Sequence, residues 1–420
     1  MASTYHLKPL DASIQQIKLF KLSRASRAQT QDADLHVTLS VWDLTNCPPF
    51  IALSYRWGST KASRPVWING RSHNIGRNLL DFLETYASLD SYKFREVFAK
   101  AAISSGSVDA TSLYLWVDQL CIDQSSIYER NHQVRLMGKI FSSAASVVVW
   151  LGKNDHASAA AIDYIRNNQE AEEQALAATN VRWIPNQPAR AVPGNTKQSM
   201  ALENLARNPY WNRLWVIQEF VVARYITVMC SSAYIHWPQL RDYSVMRQGF
   251  VEKDAMTRII NYRNAWSYPR LRGLMDTLVY FCDHLCKDPR DKVYGLLGLV
   301  ATYAEYGSDT PEVDYSRSVE EVFADTVRCV IRSEVKRESL LELQAQRLPQ
   351  PLYRNLDILN QQMGLIVATR KSRDHHNETA FRAWIERIWR QECSEHLRIV
   401  NRQRQDRVKR YLESLDESQG

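Results

Sequence analysis

Three groups of side chains in this chain have the types and spacing for chemistry. The first is Tyr55-Arg56-Trp57-Gly58, which follows the apolar run Phe50 to Ser54. At the end of a strand, an aromatic pair can stack on a base or ring and an arginine can meet a phosphate. Glycine there allows close backbone approach. The same aromatics could equally seal the top edge of a sheet. The second group is Asp118, Gln119, Asp123 and Gln124, just past the apolar run Leu113 to Val117. These residues can bind ribose hydroxyls, or they can cap a helix start and hold a tight loop through backbone N–H groups. The third is Glu219, one turn after Trp215, so that both side chains face the same way on a helix. A glutamate so placed can serve a reaction, or it can sit exposed or ion-paired with Arg213 or Arg224.

Other constellations reduce to structure. Ser126 and Glu129 fit a capping box, which accounts for Glu129 and leaves Arg130 to pair with a neighbouring carboxylate. Cys282-x-x-x-Cys286 with His284 between resembles half a metal site. No second half with matching spacing follows, and on a helix the two thiols share a core-facing side. No Gly-x-Ser-x-Gly, His-Glu-x-x-His or Gly-x-Gly-x-x-Gly is present.

Side chains on separate segments need a scaffold that brings strand ends together. The run Leu113–Val117, an amphipathic helix and the valine-rich run Ser146–Leu151 read as a parallel βαβ unit buried on both faces. In open α/β sheets, ligands bind at the carboxyl ends of such strands. Upstream, Ile14–Leu22 and His36–Trp42 read as an antiparallel pair, and Val66–Ile75 as a hairpin turning at Asn69-Gly70. Leu79, Leu80, Leu83 and Tyr86 give Asn78–Ala87 a helical face. Downstream come helices at Ala157–Ala178 and Lys197–Arg207, separated by a proline-bearing loop at Trp183–Asn195. A further helix follows with Pro209 near its start and Trp211, Leu214, Trp215, Gln218 and Val222 on one face. Strands follow at Tyr225–Cys230 and Tyr234–Trp237. Beyond them the pattern is helical: Leu271–Leu285, Asp291–Leu299 with Asp288 as N-cap, Val319–Val330 capped by Ser318, and a long basic helix over Thr379–Leu415.

The composition sets outer bounds. The chain has 420 residues and 45% hydrophobic content, enough for a large core and about two or three domains. A charged fraction of 24% argues against global disorder. The formal charge of +7 is modest for this length and describes no basic face over the whole protein. Seven scattered cysteines favour reduced thiols in a cytosolic or nuclear compartment. The N-terminus lacks a signal-peptide run, and no apolar stretch approaches the roughly eighteen residues of a membrane span. A cytoplasmic protein is therefore expected. The basic run Arg382–Arg410 reads as a solvated helical face, so nucleic acid is not an expected partner.

Four segments together resemble one family: IALSYRWGS (Ile51–Ser59), the stretch LWVDQLCIDQ running on to VVVWLG, NPYWNRLWVIQEF (Asn208–Phe220), and DPRDKVYGLLGL with its later VDYS (Val313–Ser316). In this order and spacing the chain is similar to fungal heterokaryon-incompatibility (HET) domain proteins over roughly residues 14 to 330. It departs from them where Arg56 replaces a small residue. The resemblance implies an effector of fungal non-self recognition that triggers programmed cell death. It also implies distant kinship with TIR domains, hence a flavodoxin-like α/β fold: a mainly parallel sheet flanked by helices, with an N-terminal β-hairpin and a helical C-terminal region. The implied boundaries are 1–48 for the N-terminal strands, 49–237 for the α/β domain, 238–340 for a helical continuation and 341–420 for the basic tail. Some TIR domains cleave NAD through one glutamate in a similar Trp-x-x-x-Glu arrangement, and that likeness assigns Glu219 as the catalytic residue beside Trp215. Tyr55 and Trp57 would then hold the ring, with Arg56, Gly58, Asp118, Asp123 and Gln124 as accessory contacts. NAD enters as substrate, with no cofactor or metal, and self-association or a signalling partner protein is implied. Two other readings stand beside this one: a non-enzymatic interaction module, and a nucleic-acid-associated protein acting through its tail.

Overall fold

β-branched and aromatic runs set the strands, and their lengths and order are those of one large sheet. A computed structural model describes residues 9–25, 34–58, 65–98, 113–178, 196–245, 254–267, 273–300, 309–336, 346–365 and 375–417. The loop expected at Trp183–Asn195 lies outside them. The chain divides into two units, Met1–Ser267 with His284–Cys286, and Tyr268–Asp283 with Lys287–Gly420.

In the first unit the strands are β1 (Gln16–Ala25), β2 (Asp34–Asp43), β3 (Phe50–Tyr55), β4 (Pro65–Ile68), β5 (Arg71–Asn74), β6 (Tyr114–Trp116), β7 (Ser146–Trp150), β8 (Ile226–Cys230) and β9 (Ala233–His236). Its helices are α1 (Arg77–Ala87), α2 (Ser91–Val97), α3 (Asp118–Cys121), α4 (Ile127–Ser143), α5 (His156–Ala178), α6 (Thr196–Ala206), α7 (Trp215–Val221), α8 (Trp237–Val245) and α9 (Ala255–Asn264). The sheet order is β5-β4-β2-β1-β6-β3-β7-β8-β9.

The sheet is mixed, which corrects the expected mainly parallel one. The central strands β6, β3, β7 and β8 run parallel. Antiparallel pairs flank them, β1 with β6 and β2 on one side and β8 with β9 on the other. The reason is that β1 pairs along its whole length with β2 and also meets β6 at Phe20–Leu115, so the N-terminal pair is part of the sheet rather than a cover on it. Every residue of β3, β7 and β8 is buried, as expected of strands covered on both faces. β6 and β7, the two ends of the βαβ unit, are both parallel to β3 and lie on either side of it.

Local signals resolve as written in several places. Asn69 (φ 47°) and Gly70 (φ 79°) form the hairpin turn between β4 and β5, both in the left-handed region such turns require. The Asn69 side chain also accepts from Leu39 N at 2.9 Å, tying the hairpin to β2. The helix expected from Pro209 starts later, at Trp215. Asn208 Oδ1 accepts from Tyr210 N (2.9 Å), a side-chain turn that competes with helix initiation. Leu285 then pairs with the same segment, its N–H donating to Asn212 O (2.6 Å) while its carbonyl accepts from Leu214 N (2.9 Å).

The second unit holds α10 (Leu274–Tyr280), α11 (Asp291–Tyr294), a 3-10 turn at Leu297–Leu299, α12 (Val319–Val335), α13 (Gln350–Gln362) and α14 (His375–Glu417). α10 stops at Tyr280, so Cys282 and Cys286 do not share a helix face, which corrects that expectation. The next residues are drawn instead into the Leu285 pairing. Asp288 accepts from Arg290 N (3.0 Å) just before α11, and Arg290 also donates to the carbonyls of Tyr315 (2.8 Å) and Arg317 (2.7 Å). With Tyr315 Oη on Asp291 Oδ1 (2.6 Å), these contacts tie DPRD to VDYS. α12 starts on a full capping box between Ser318 and Glu321. No described helix is long and apolar enough to cross a membrane. All seven cysteines are free thiols.

Candidate functional site

The carboxyl ends of β3, β6 and β7 lie side by side, because all three strands are parallel neighbours. Each turns sharply there. β3 runs into Arg56-Trp57-Gly58, with Gly58 at φ 71°. β6 runs through Val117 into α3. β7 runs into Leu151-Gly152, with Gly152 at φ 117°. Asn78, in the first turn of α1, connects two of these ends: its Nδ2 donates to Arg56 O (2.6 Å), and its Oδ1 accepts from Trp150 Nε1 (2.9 Å). Just before that helix a Cβ on Gly76 would meet Trp57 O at 3.2 Å, so α1 begins hard against the Trp57 turn.

The first two sequence groups converge here. Trp57 Nε1 donates to Asp118 Oδ2 (2.7 Å), and Gln119 N donates to Asp118 Oδ1 (2.7 Å), so each carboxylate oxygen has a donor. Tyr55 is buried and its hydroxyl donates to Gln119 Oε1 (2.9 Å). Gln124 Nε2 reaches back to Asp118 O at 3.3 Å. Burial pushes the Asp118 carboxyl above its usual range, against the opposing pull of the Arg213 cation and the Trp57 hydrogen bond. Arg56 points its side chain to solvent as an exposed residue.

Asp123 is separate from this cluster. Its Oδ1 accepts from Ser125 N (3.0 Å) and Ser125 Oγ (2.6 Å), a loop-holding side-chain turn. Its own N–H donates to Glu129 Oε1 at 2.8 Å. That contact corrects the capping box expected at α4. Ser126 does accept from Glu129 N (3.3 Å), but the Glu129 carboxylate does not return to Ser126. It is buried against the Lys18 ammonium of β1, while the Ser126 N–H donates instead to Asp123 O at 3.2 Å.

Glu219 lies beneath the β3 end. It is 5% exposed, which rules out the exposed-helix reading. α7 presses it against β3, where Ser54 Oγ donates to Glu219 Oε2 and lies 2.6 Å from Tyr210 Oη. Burial pushes the Glu219 carboxyl up to about 7, with the Arg213 cation and the Ser54 hydroxyl pulling it down and Asp118 adding to the rise. The hydroxyls of Tyr55 and Tyr210 are driven well above their ordinary range, chiefly by burial. Arg213 is the half-buried cation of the group: it donates to Tyr55 O and acts electrostatically on both carboxyls. Trp215 is half-buried at the start of α7.

Sequence reading did not single out Ser54, Asn78 or Tyr210, and it treated Arg213 only as an ion-pair partner. Ser54 carried a signal, as the small polar residue that ends the apolar run Phe50–Leu53 just before the aromatic loop. Tyr210 and Asn78 carried none, since only tertiary packing brings them in. Chemically, the arrangement is a buried acid near neutrality, a second carboxyl, one shared cation and the Trp57 indole. Strongly perturbed acids in such clusters mark candidate functional sites. Among the described residues no group of His, Cys, Asp and Glu could hold a metal ion.

A mixed α/β sheet with this cluster at its parallel strand ends defines the class, and comparison with known proteins gives it a family context. Residues 50–219 match the family model described as Heterokaryon incompatibility protein (HET). The match opens on the first residue of β3 and closes on Glu219. Over those residues the chain is similar to HET domains. It is 26% identical over 354 residues to Heterokaryon incompatibility protein 6, OR allele, of Neurospora crassa, an alignment covering 72% of this chain and 50% of that protein. The chain therefore spans about half the length of that relative. No solved structure matches it.

Proposed function

We propose that this chain is a HET-type effector of fungal non-self recognition that triggers programmed cell death by cleaving the glycosidic bond of NAD or a related nucleotide at Glu219. The observation that carries the catalytic part is the Glu219 carboxyl, buried beside Arg213 and Asp118 and held near neutrality. Its placement four residues after Trp215 is similar to that of NAD-cleaving TIR domains. Nicotinamide leaves as a neutral base from a cationic precursor, so the reaction needs little acid help. The C–N bond breaks with its electron pair going to nicotinamide, and the ionised Glu219 stabilises the ribosyl cation left behind. Water then adds to that carbon and releases a proton, giving ADP-ribose. Trp57 and Trp215 supply the stacking faces, and Arg56, exposed at the same strand end, supplies a cation for phosphate. Glu219 is closed off in the single chain, so its exposure to substrate is coupled to movement of the Arg213–Trp215 segment on self-association.

The purified chain, incubated with NAD alone and with a crowding agent, should release nicotinamide, and Glu219→Gln should abolish release and killing together. A second reading has its own support. The hydrogen bond from Ser54 and the burial of Glu219 are also what a structural acid fixing α7 to β3 needs. In that reading the chain kills through assembly with partner proteins, and wild type and Glu219→Gln are equally inert towards NAD while both still kill.

A further inference from the structure

The C-terminal helix α14 changes character along its length. In its first half Ile385, Trp389 and Cys393 are buried, and Arg382 and Arg390 pair with Glu386 at 3.2 and 3.6 Å. From residue 398 to residue 410 every position but Val400 is exposed. This stretch, RIVNRQRQDRVKR, holds six Lys and Arg residues against Asp406 alone, a formal +5 within the +7 of the whole chain. Glu395 and Glu413 bound it in sequence. Among the described residues no carboxylate lies within ion-pair distance of Arg398, Arg402, Arg404 or Arg407. Among the described residues Arg410 donates to the Asp406 carbonyl, at 3.3 Å.

The distribution of these cations decides the kind of partner. At about 100° per residue the five arginines spread over roughly 240° of the helix circumference. The two exposed apolar residues, Ile399 (49%) and Val408 (58%), stand about 180° apart and form no stripe. A helix that docks on a membrane surface needs a continuous apolar face with cations on the other side, and this one has neither. Complementing the helix macrodipole explains cations only in the last turn. A polyanion that surrounds the helix uses all of them. The B-DNA major groove is about 12 Å wide, accepts a helix of about 10–12 Å, and presents phosphates on both walls. The groove of A-form RNA is too narrow for it. Asn401, Gln403 and Gln405 are exposed between the cations and offer amides to base edges.

We propose that residues 398–410 form a duplex-DNA-binding arm that lies in the major groove. This function is independent of the Glu219 chemistry. It revises the expectation of a merely solvated face, because Arg382 and Arg390 upstream on the same helix pair with Glu386, whereas Arg398, Arg402, Arg404 and Arg407 meet no carboxylate among the described residues.

The test is fluorescence anisotropy of a labelled 20-base-pair duplex with the full chain, titrated from about 50 to 300 mM salt. About five phosphate contacts predict a log–log salt slope of about −4.5. Replacing Arg398, Arg402, Arg404 and Arg407 by Gln should weaken binding at least 30-fold at about 100 mM salt and bring the slope towards −1. The melting temperature should be unchanged, since all four positions are exposed. Three results would overturn the proposal: no retention of duplex by the wild type, equal retention by the quadruple variant, or binding to phosphatidylserine vesicles or single-stranded RNA without binding to duplex.

Discussion

Glu219 ties the ionisation of one carboxyl to the stability of the fold. In the native protein burial pushes its carboxyl up to about 7, against 4.5 for an ordinary glutamate, by disfavouring its charge. Between those values the native state holds a proton that the unfolded state has lost. Stability from this group is therefore fully present below about pH 4.5 and falls away as pH rises through about 7. The loss is on the order of 3 kcal/mol at 1.36 kcal/mol per pKa unit. Glu219→Gln should remove that fall and be more stable than wild type at pH 8, with little difference at pH 4.5. Denaturant titrations at the two pH values check this. Ser54→Ala should act in the opposite sense on the acid itself. The Ser54 hydroxyl favours the ionised form, so its loss should raise the Glu219 midpoint above about 7 and cost about 1–3 kcal/mol by leaving buried groups unpaired. An NMR titration of the carboxyl carbon reads the midpoint directly.

At the scale of elements, the buried Lys18–Glu129 pair joins β1 to α4 across 111 positions of sequence, and Glu129 in turn holds Asp123 N. Lys18→Met strands a buried carboxylate and should destabilise by about 3–5 kcal/mol, whereas Lys18→Met with Glu129→Leu should recover most of the loss. Chemical denaturation of the two variants separates the outcomes. This pair also shows how far the sequence could be read. Ser318–Glu321 and Ser126–Glu129 have the same spacing, yet only the first closes as a full capping box, because only Glu129 has a buried lysine within reach. Signals completed within a few residues, such as the Asn69-Gly70 turn and the Ser318 cap, were readable. The same holds for the βαβ unit, whose strands are short but apolar. What depends on register between distant strands was not: the placing of β1 beside β6 made the sheet mixed, and Ser54 and Glu219 meet across 165 residues. The aromatic loop and the Asp118 loop were readable as site walls because both follow apolar runs. Tyr210 and Asn78 reach the site only by packing, and no local pattern announces that.

For the whole molecule, the two ends of chemistry sit in different units: the carboxyl cluster in Met1–Ser267 and the cationic arm at the end of α14. Truncation after residue 397 should therefore abolish duplex retention without altering the pH dependence set by Glu219, a pair of readouts that one preparation can supply. Nicotinamide release from NAD by the purified full chain, with and without a crowding agent, decides whether the carboxyl cluster is catalytic. Wild type should release nicotinamide under at least the crowded condition, and Glu219→Gln should release none. Wild type and variant equally silent under both conditions, while expression of either still kills cells, would contradict a catalytic role.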